Sequence, residues 1–313
     1  MRAAASPIAP LIRHRDASTP ACRHLISATL NHLPDECPSM TPDALFSLNG
    51  KTALVTGGAT GIGRMAAEGL MHAGARVLIA SRKGEACEAV AAELNALGCS
   101  GQAEGFAGDV STEDGVNALA EAVNARCEAL HILMNNAGTT WGAPLEEFPY
   151  KGFDRVFSVN VTGMFALTQR LLPLLRQAAH AEDPARVVNV GSVMGEIPMG
   201  DGAYSYAFSK SAVHQMTRIL AKELAGDQIT VNALAPGPFV SNMTAFATAD
   251  ENTRERVGDG VPVGRVGRAE DIAGSLQFLC GRGGSYVTGA VIPLSGGINV
   301  STGPSIFERA REA

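Results

Sequence analysis

Residues 52–80 constrain the chain more than any other stretch. They read TALVTGGATGIGRMAAEGLMHAGARVLIA. A short apolar run, 52–56, is followed at once by Gly57, Gly58, Gly61 and Gly63. Ile62, Ala66, Leu70 and Ala73 then recur at helical steps, Gly74 stops the helix, and a second apolar run fills 77–80. Strand, tight turn, helix and strand in that order make the unit of a parallel sheet. The glycines allow a sharp turn and close approach of a ligand. The free amides and dipole of the helix N-terminus beyond them attract a pyrophosphate. The spelling is T-G-x-x-x-G-x-G, from Thr56 to Gly63, rather than G-x-G-x-x-G. Set between a strand and a helix, it favours nucleotide binding over an ordinary loop.

The rest of the chain keeps the same alternation. The pattern predicts a helix to about 97 and a strand ending at 106–109. A helix capped by Ser111 follows, running to about 127, and then a strand over 130–134. A long helix over 152–179 follows, which Pro173 should kink. Next come a strand at 186–190, a helix at 203–225 closed by Gly226 and a strand at 229–234. An irregular stretch covers 236–267, before a helix at 270–279 and a last strand at 287–294. Such alternation predicts an α/β fold with one doubly wound, parallel, seven-stranded Rossmann sheet. The single domain spans 45–300, after an extension at 1–44 and before a tail at 301–313. The extension carries five prolines by residue 38 and Arg2, Arg13, Arg15 and Arg23. It reads as a disordered tail, as sequence upstream of a start at Met40, or as an organelle transit peptide.

Composition narrows the function. A chain of 313 residues that is 46% hydrophobic can fill a large core. A net charge of −6 argues against a nucleic-acid surface. No apolar run approaches the roughly 20 residues of a membrane span. The six cysteines form no C-x-x-C pair, which suits free thiols in a reducing, cytoplasmic compartment. The seven histidines are scattered, so no metal is expected.

Four residues carry candidate chemistry. Tyr206 and Lys210 share one face of a predicted helix. A phenol with a reference pKa of about 10 is a poor acid at neutral pH. An ammonium roughly 5 Å away favours the phenolate, by on the order of 3 kcal/mol. An ordinary amphipathic helix can carry the same spacing by chance. Tyr204 is an internal control, because Phe208 stands where its lysine would be. Ser192 follows a strand and can hold a substrate oxygen against the phenol, or cap its own turn. Asn160 is an amide in an apolar helical stretch, either buried for a reason or facing solvent.

With Asp109-Val110, Asn135 to Gly138 and Pro236-Gly237, these motifs resemble the short-chain dehydrogenase/reductase family over about 47–297. The resemblance implies that Tyr206 protonates a carbonyl oxygen and that Lys210 lowers the phenol pKa and binds the nicotinamide ribose. Ser192 then orients substrate, and Asn160 holds a water that relays protons. It also implies that Gly57, Thr60, Gly61, Ile62, Gly63, Ser81, Arg82, Asp109, Val110, Asn136, Ala137, Gly138, Pro236, Gly237 and Ser241 contact the cofactor. Ser81 and Arg82 stand where NAD binders usually place an acid, which favours NADP(H) over NAD(H), although NAD(H) stays open.

The segments around Trp141, Leu171 to Arg176 and Ala221 to Leu224 look most like 3-oxoacyl reductases of the rhamnolipid-associated type. That likeness implies a carbonyl substrate carried on coenzyme A or acyl carrier protein. Trp141, Met194, Ile197, Met199, Phe239, Met243 and Phe246 are the expected walls of an apolar substrate site. Dehydrogenation of a sugar acid, polyol or other secondary alcohol is the competing enzyme reading, and a non-catalytic NADP-binding scaffold the competing class. Relatives suggest a homotetramer or dimer.

Overall fold

A computed structural model describes residues 40–199, 202–248 and 250–301, without the side chains of 246 and 247. The extension through residue 39, the tail beyond 301 and the Phe246 side chain lie outside the described residues. Elements α1 (Pro42–Phe46), β1 (Thr52–Thr56), α2 (Gly61–His72), β2 (Arg76–Ser81), α3 (Gly84–Asn95), β3 (Gln102–Ala107) and α4 (Glu113–Asn124) build the first half. The second half holds β4 (Ile132–Asn135), α5 (Tyr150–Phe157), α6 (Met164–Ala178), β5 (Ala185–Val190), α7 (Tyr204–Leu224) and β6 (Ile229–Pro236). It closes with α8 (Ala245–Thr248), α9 (Glu251–Asp259), α10 (Ala269–Cys280) and β7 (Val291–Leu294).

All seven strands are parallel, in the order β3-β2-β1-β4-β5-β6-β7. The order reverses between β1 and β4. The loops after these two strands therefore part there and leave a crevice at the carboxyl end of the sheet. The period of two along each strand feeds both layers. Ala53 and Val55 pack with Leu70, Leu94, Ile272 and Leu276 on one face. Leu54 packs with Leu119, Leu167, Leu171 and Leu224 on the other. At the amino edge of the sheet, buried Arg186 and Lys51 share Asp183 at 3.1 and 2.7 Å. Both also donate to carbonyls at the end of α10, Leu279 and Cys280. Among the described residues no helix is long and apolar enough to cross a membrane.

Several boundaries differ from the sequence reading. Residues 42–44, assigned by pattern to the extension, are helical because Thr41 caps α1 and Pro42 suits its first turn. The cap of α4 is Thr112, not Ser111: its Oγ1 accepts the Gly115 amide at 3.1 Å. The long helix predicted over 152–179 is two helices, α5 and α6, joined by a π-helical turn at Ser158–Gly163. The helix runs on through Pro173, and the interruption lies at the wide turn. The stretch called irregular holds α8 and α9.

Candidate active site

The glycine turn after β1 ends at Thr60, whose extended backbone starts α2 with no side-chain cap. The first amides of α2 therefore meet no capping oxygen from the Thr60 side chain. Gly57 holds φ +65°, which a side chain rarely adopts. Gly63 matters for closeness instead: a Cβ there would come within 2.3 Å of the Gly57 carbonyl oxygen and 2.5 Å of Asn136 Nδ2. Gly63→Ala should cost about 1–3 kcal/mol of stability, as overpacking does, and weaken dinucleotide binding at least roughly tenfold. Thermal melts and a cofactor titration check this; wild-type behaviour in both would show that the turn is not under this constraint.

Asn136 ties the turn to the loop after β4. Its Nδ2 donates to the carbonyls of Thr56 and Gly57 at 2.8 and 3.1 Å. Thr56 Oγ1 accepts the amides of Asn136 and Ala137, each at 3.0 Å. The two loops are thus one rigid cradle. Along its floor runs a groove in two parts, of about 490 and 320 Å³. The larger part is lined by Gly57, Thr60, Gly61, Ile62, Asn136, Ala137, Gly138, Tyr206, Lys210 and Ser241. The smaller is lined by Ser81, Arg82, Asp109 and Val110, and Arg82 borders both. Asp109 Oδ1 also accepts the Ser111 amide at 2.8 Å, so it serves its own turn as well. Pro236 and Gly237 do not line the groove. Pro236 is buried at the end of β6, and the Gly237 amide donates to the Leu294 carbonyl at 3.0 Å.

The groove fits a phosphorylated dinucleotide. The end of β2 presents Ser81 and Arg82, with Asp109 the one carboxylate lining that part, and a guanidinium complements a 2′-phosphate that an acid would repel. The uncapped start of α2 offers amides to a pyrophosphate. Among the described residues no cluster of His, Cys, Asp or Glu could hold a metal ion.

Tyr206 and Lys210 both line the larger part. The Lys210 Nζ lies 5.5 Å from the centre of the Tyr206 ring and donates to the Val190 carbonyl at 2.6 Å. Ser192 stands beside the Tyr206 side chain, and its Oγ accepts the Met194 amide at 3.2 Å. Burial pushes the phenol pKa up, and the Ser192 hydrogen bond pulls it part of the way back. The net shift is upward, opposite in direction to the expected one. Spacing counts a neighbour's charge but not the water stripped from the phenol itself. The same burial lowers Lys210 to about 8.

Asn160 sits in the π-helical turn and is fully buried. Its amide brackets Thr139, accepting from the Thr139 amide at 2.8 Å and donating to the Thr139 carbonyl at 3.0 Å. Its Nδ2 also donates to Ser209 Oγ at 3.0 Å, and Ser209 in turn donates to the Tyr206 carbonyl at 2.7 Å. Asn160 thereby links the loop after β4 to the helix that carries Tyr206. The extra residue of the wide turn is what a plain helical repeat does not reveal.

Sequence reasoning missed Ser209 and His214. His214 lies one turn beyond Lys210, and its Nε2 accepts the Ser192 amide at 3.4 Å. Burial, then Arg218 and Lys210, lower its pKa to about 4, so it stays a neutral acceptor under Ser192. The i, i+4 step from Lys210 was the available signal.

The expected substrate walls separate. Met243 lines the groove. Met194, Ile197 and Met199 face a different hollow, of about 400 Å³, with Tyr204, Ala207 and Phe208 of α7. Those α7 residues lie on a different stripe of the helix from Tyr206 and Lys210. Phe239 is core, 2% exposed, and packs against Gly267.

A family model described as short chain dehydrogenase matches residues 51–252. The chain is 49% identical over 255 residues to the rhamnolipids biosynthesis 3-oxoacyl-[acyl-carrier-protein] reductase of Pseudomonas aeruginosa, covering 82% of this chain and 98% of that one. It is 35% identical over 264 residues to a gluconate 5-dehydrogenase of Gluconobacter oxydans, covering 83% and 98%. Among solved structures it is similar to the Pseudomonas aeruginosa RhlG/NADP active-site complex. There the identity is 49% and the TM-score 0.78, with 82% of this chain and 99% of that one covered.

Proposed function

The chain belongs to the short-chain dehydrogenases, and from that premise we propose that it is an NADPH-dependent reductase of 3-oxoacyl thioesters. It is an oxidoreductase acting on a ketone or secondary alcohol. The observation that carries the reading is the Ser192, Tyr206 and Lys210 cluster opening into a groove whose far end presents Arg82. The substrate class follows the relative named for 3-oxoacyl reduction, matched over 98% of its length.

When bound, the dinucleotide supplies the hydride. The protein does the rest. Ser192 holds the carbonyl oxygen beside the phenol, and Tyr206 releases its proton to that oxygen as negative charge builds there. The phenolate left behind is met by the Ser192 hydroxyl and the Lys210 ammonium. Asn160 and His214 act as positioning residues: one fixes the Thr139 loop, the other the Ser192 turn. We place the enzyme in the cytoplasm, in keeping with the free thiols of Cys87, Cys99, Cys127 and Cys280, and as a homotetramer or dimer.

The test is a panel of 3-oxoacyl thioesters on coenzyme A and on acyl carrier protein, with 5-ketogluconate as the competing class, followed by NADPH absorbance. Oxidation with the thioesters at least tenfold faster than with the keto acid is expected. A preference for the keto acid would move the chain to the sugar-acid branch, and inertness toward every carbonyl would favour a scaffold. Light scattering reads the assembly.

A further inference from the structure

The adenosine-side cavity has a second cationic wall. Arg155, near the end of α5, lines it together with Ser158 and Val159, as do Ser81 and Arg82. Among the described residues neither Arg82 nor Arg155 has an acid within ion-pair distance. The only carboxylate in the lining, Asp109, is engaged by the Ser111 amide. Arg155 is not free to swing at random. Its guanidinium lies 5.6 Å from the centre of the Trp141 ring. That ring rests on Gly152, where a Cβ would stand 3.2 Å from Trp141 Cδ1. Lys151 sits over the same ring, also at 5.6 Å, but does not line the cavity.

We infer that Arg155 is a second phosphate-binding residue, meeting the adenosine 2′-phosphate of NADP(H) in the cavity that Arg82 also lines, with Trp141 as the platform that aims it. A phosphate monoester carries close to two charges, and one exposed arginine neutralises only part of that. Two guanidiniums lining one cavity of about 320 Å³ supply the rest. Trp141 belongs to the loop that Asn160 fixes through Thr139, so the grip on the phosphate and the set of that loop are mechanically joined. The inference deepens the NADP reading and rests on it.

The chain contains one tryptophan, so its emission reports on this very contact. Fluorescence titrations with oxidised NADP+ and NAD+ on the full chain are the experiment, with R155Q, R155K, K151Q and R82Q. R155Q should weaken NADP+ roughly tenfold and leave NAD+ within about twofold, because only one of them carries the 2′-phosphate. R155K should recover part of the loss, and K151Q should match wild type for both cofactors. The double variant R82Q/R155Q should lose NADP+ preference altogether. Equal weakening of NADP+ and NAD+ by R155Q would make Arg155 a prop for Trp141 and overturn the inference. So would full retention of the preference in R155Q. A wild type with no preference for NADP+ would remove the cofactor assignment and this inference together. None of these readings depends on which carbonyl is the substrate.

Discussion

Tyr206→Phe removes turnover while leaving NADP+ binding nearly intact. The kcat for carbonyl reduction should fall by roughly 10³, the scale of a lost general acid. Among the described residues the phenol is the acidic group that neighbours Ser192 and can hand a proton to a substrate oxygen held there. The ring survives in the variant, so the wall of the groove keeps its shape. Stability should change by no more than about 1 kcal/mol, since one hydrogen bond is lost and one buried polar group goes with it. Tyr204→Phe is the matched control. Its ring is T-stacked on Phe148 at 5.4 Å between centroids, facing the separate hollow, and that variant should retain wild-type kcat. Fluorescence titration separates binding from chemistry. A Tyr206→Phe protein that binds NADP+ and still turns over within tenfold of wild type would move the proton donor elsewhere.

What the sequence disclosed and what it hid divide by range. Glycine spacing between a strand and a helix, and a tyrosine four before a lysine, are short-range patterns. Each dictates its own local geometry, so the cradle at Gly57 to Gly63 and the Tyr206/Lys210 pair were legible in advance. The sheet followed from alternation, because parallel strands buried on both faces leave long apolar runs separated by amphipathic helices. Properties that depend on what lies across the fold were not legible. The π-helical turn adds one residue to a helix without changing the apolar stripe, so Asn160 read as a plain helical amide. Met194, Ile197 and Met199 carry no mark of which side of their loop they face. Arg155 sits on a predicted helix and gives no hint that it reaches the cavity where Arg82 ends. The sign of the Tyr206 shift was misread for the same reason: a lysine's charge is visible in a string, whereas desolvation is a sum over neighbours from the whole chain.

Lys210→Met should make the protein more stable and much less active, and the combination is what identifies its role. The side chain is 2% exposed, and its pKa drops from 10.5 to about 8 by burial. A folded value below the unfolded one means that the folded chain holds this proton less tightly. The penalty of burying the ammonium is thus fully present below pH 8, and stability climbs as the pH rises from about 8 to 10.5. At 1.36 kcal/mol per unit, the penalty is on the order of 3 kcal/mol. Loss of the hydrogen bond to the Val190 carbonyl returns roughly 1 kcal/mol of it. The variant should therefore melt a few degrees higher at pH 7, and the gap should close by about pH 10.5. Activity runs the other way. An ammonium beside the ring favours the phenolate formed as the proton leaves, so kcat should drop roughly 10²-fold. The wild-type reduction rate should also fall as pH rises through about 8, where the ammonium loses its charge, and that limb should vanish from the variant's profile. A lysine kept only for packing would give a variant of lower stability with an unchanged pH profile. Melts and pH–rate curves on the same preparation decide between the two, since only a lysine that acts on the phenol links a gain in stability to a lost pH limb.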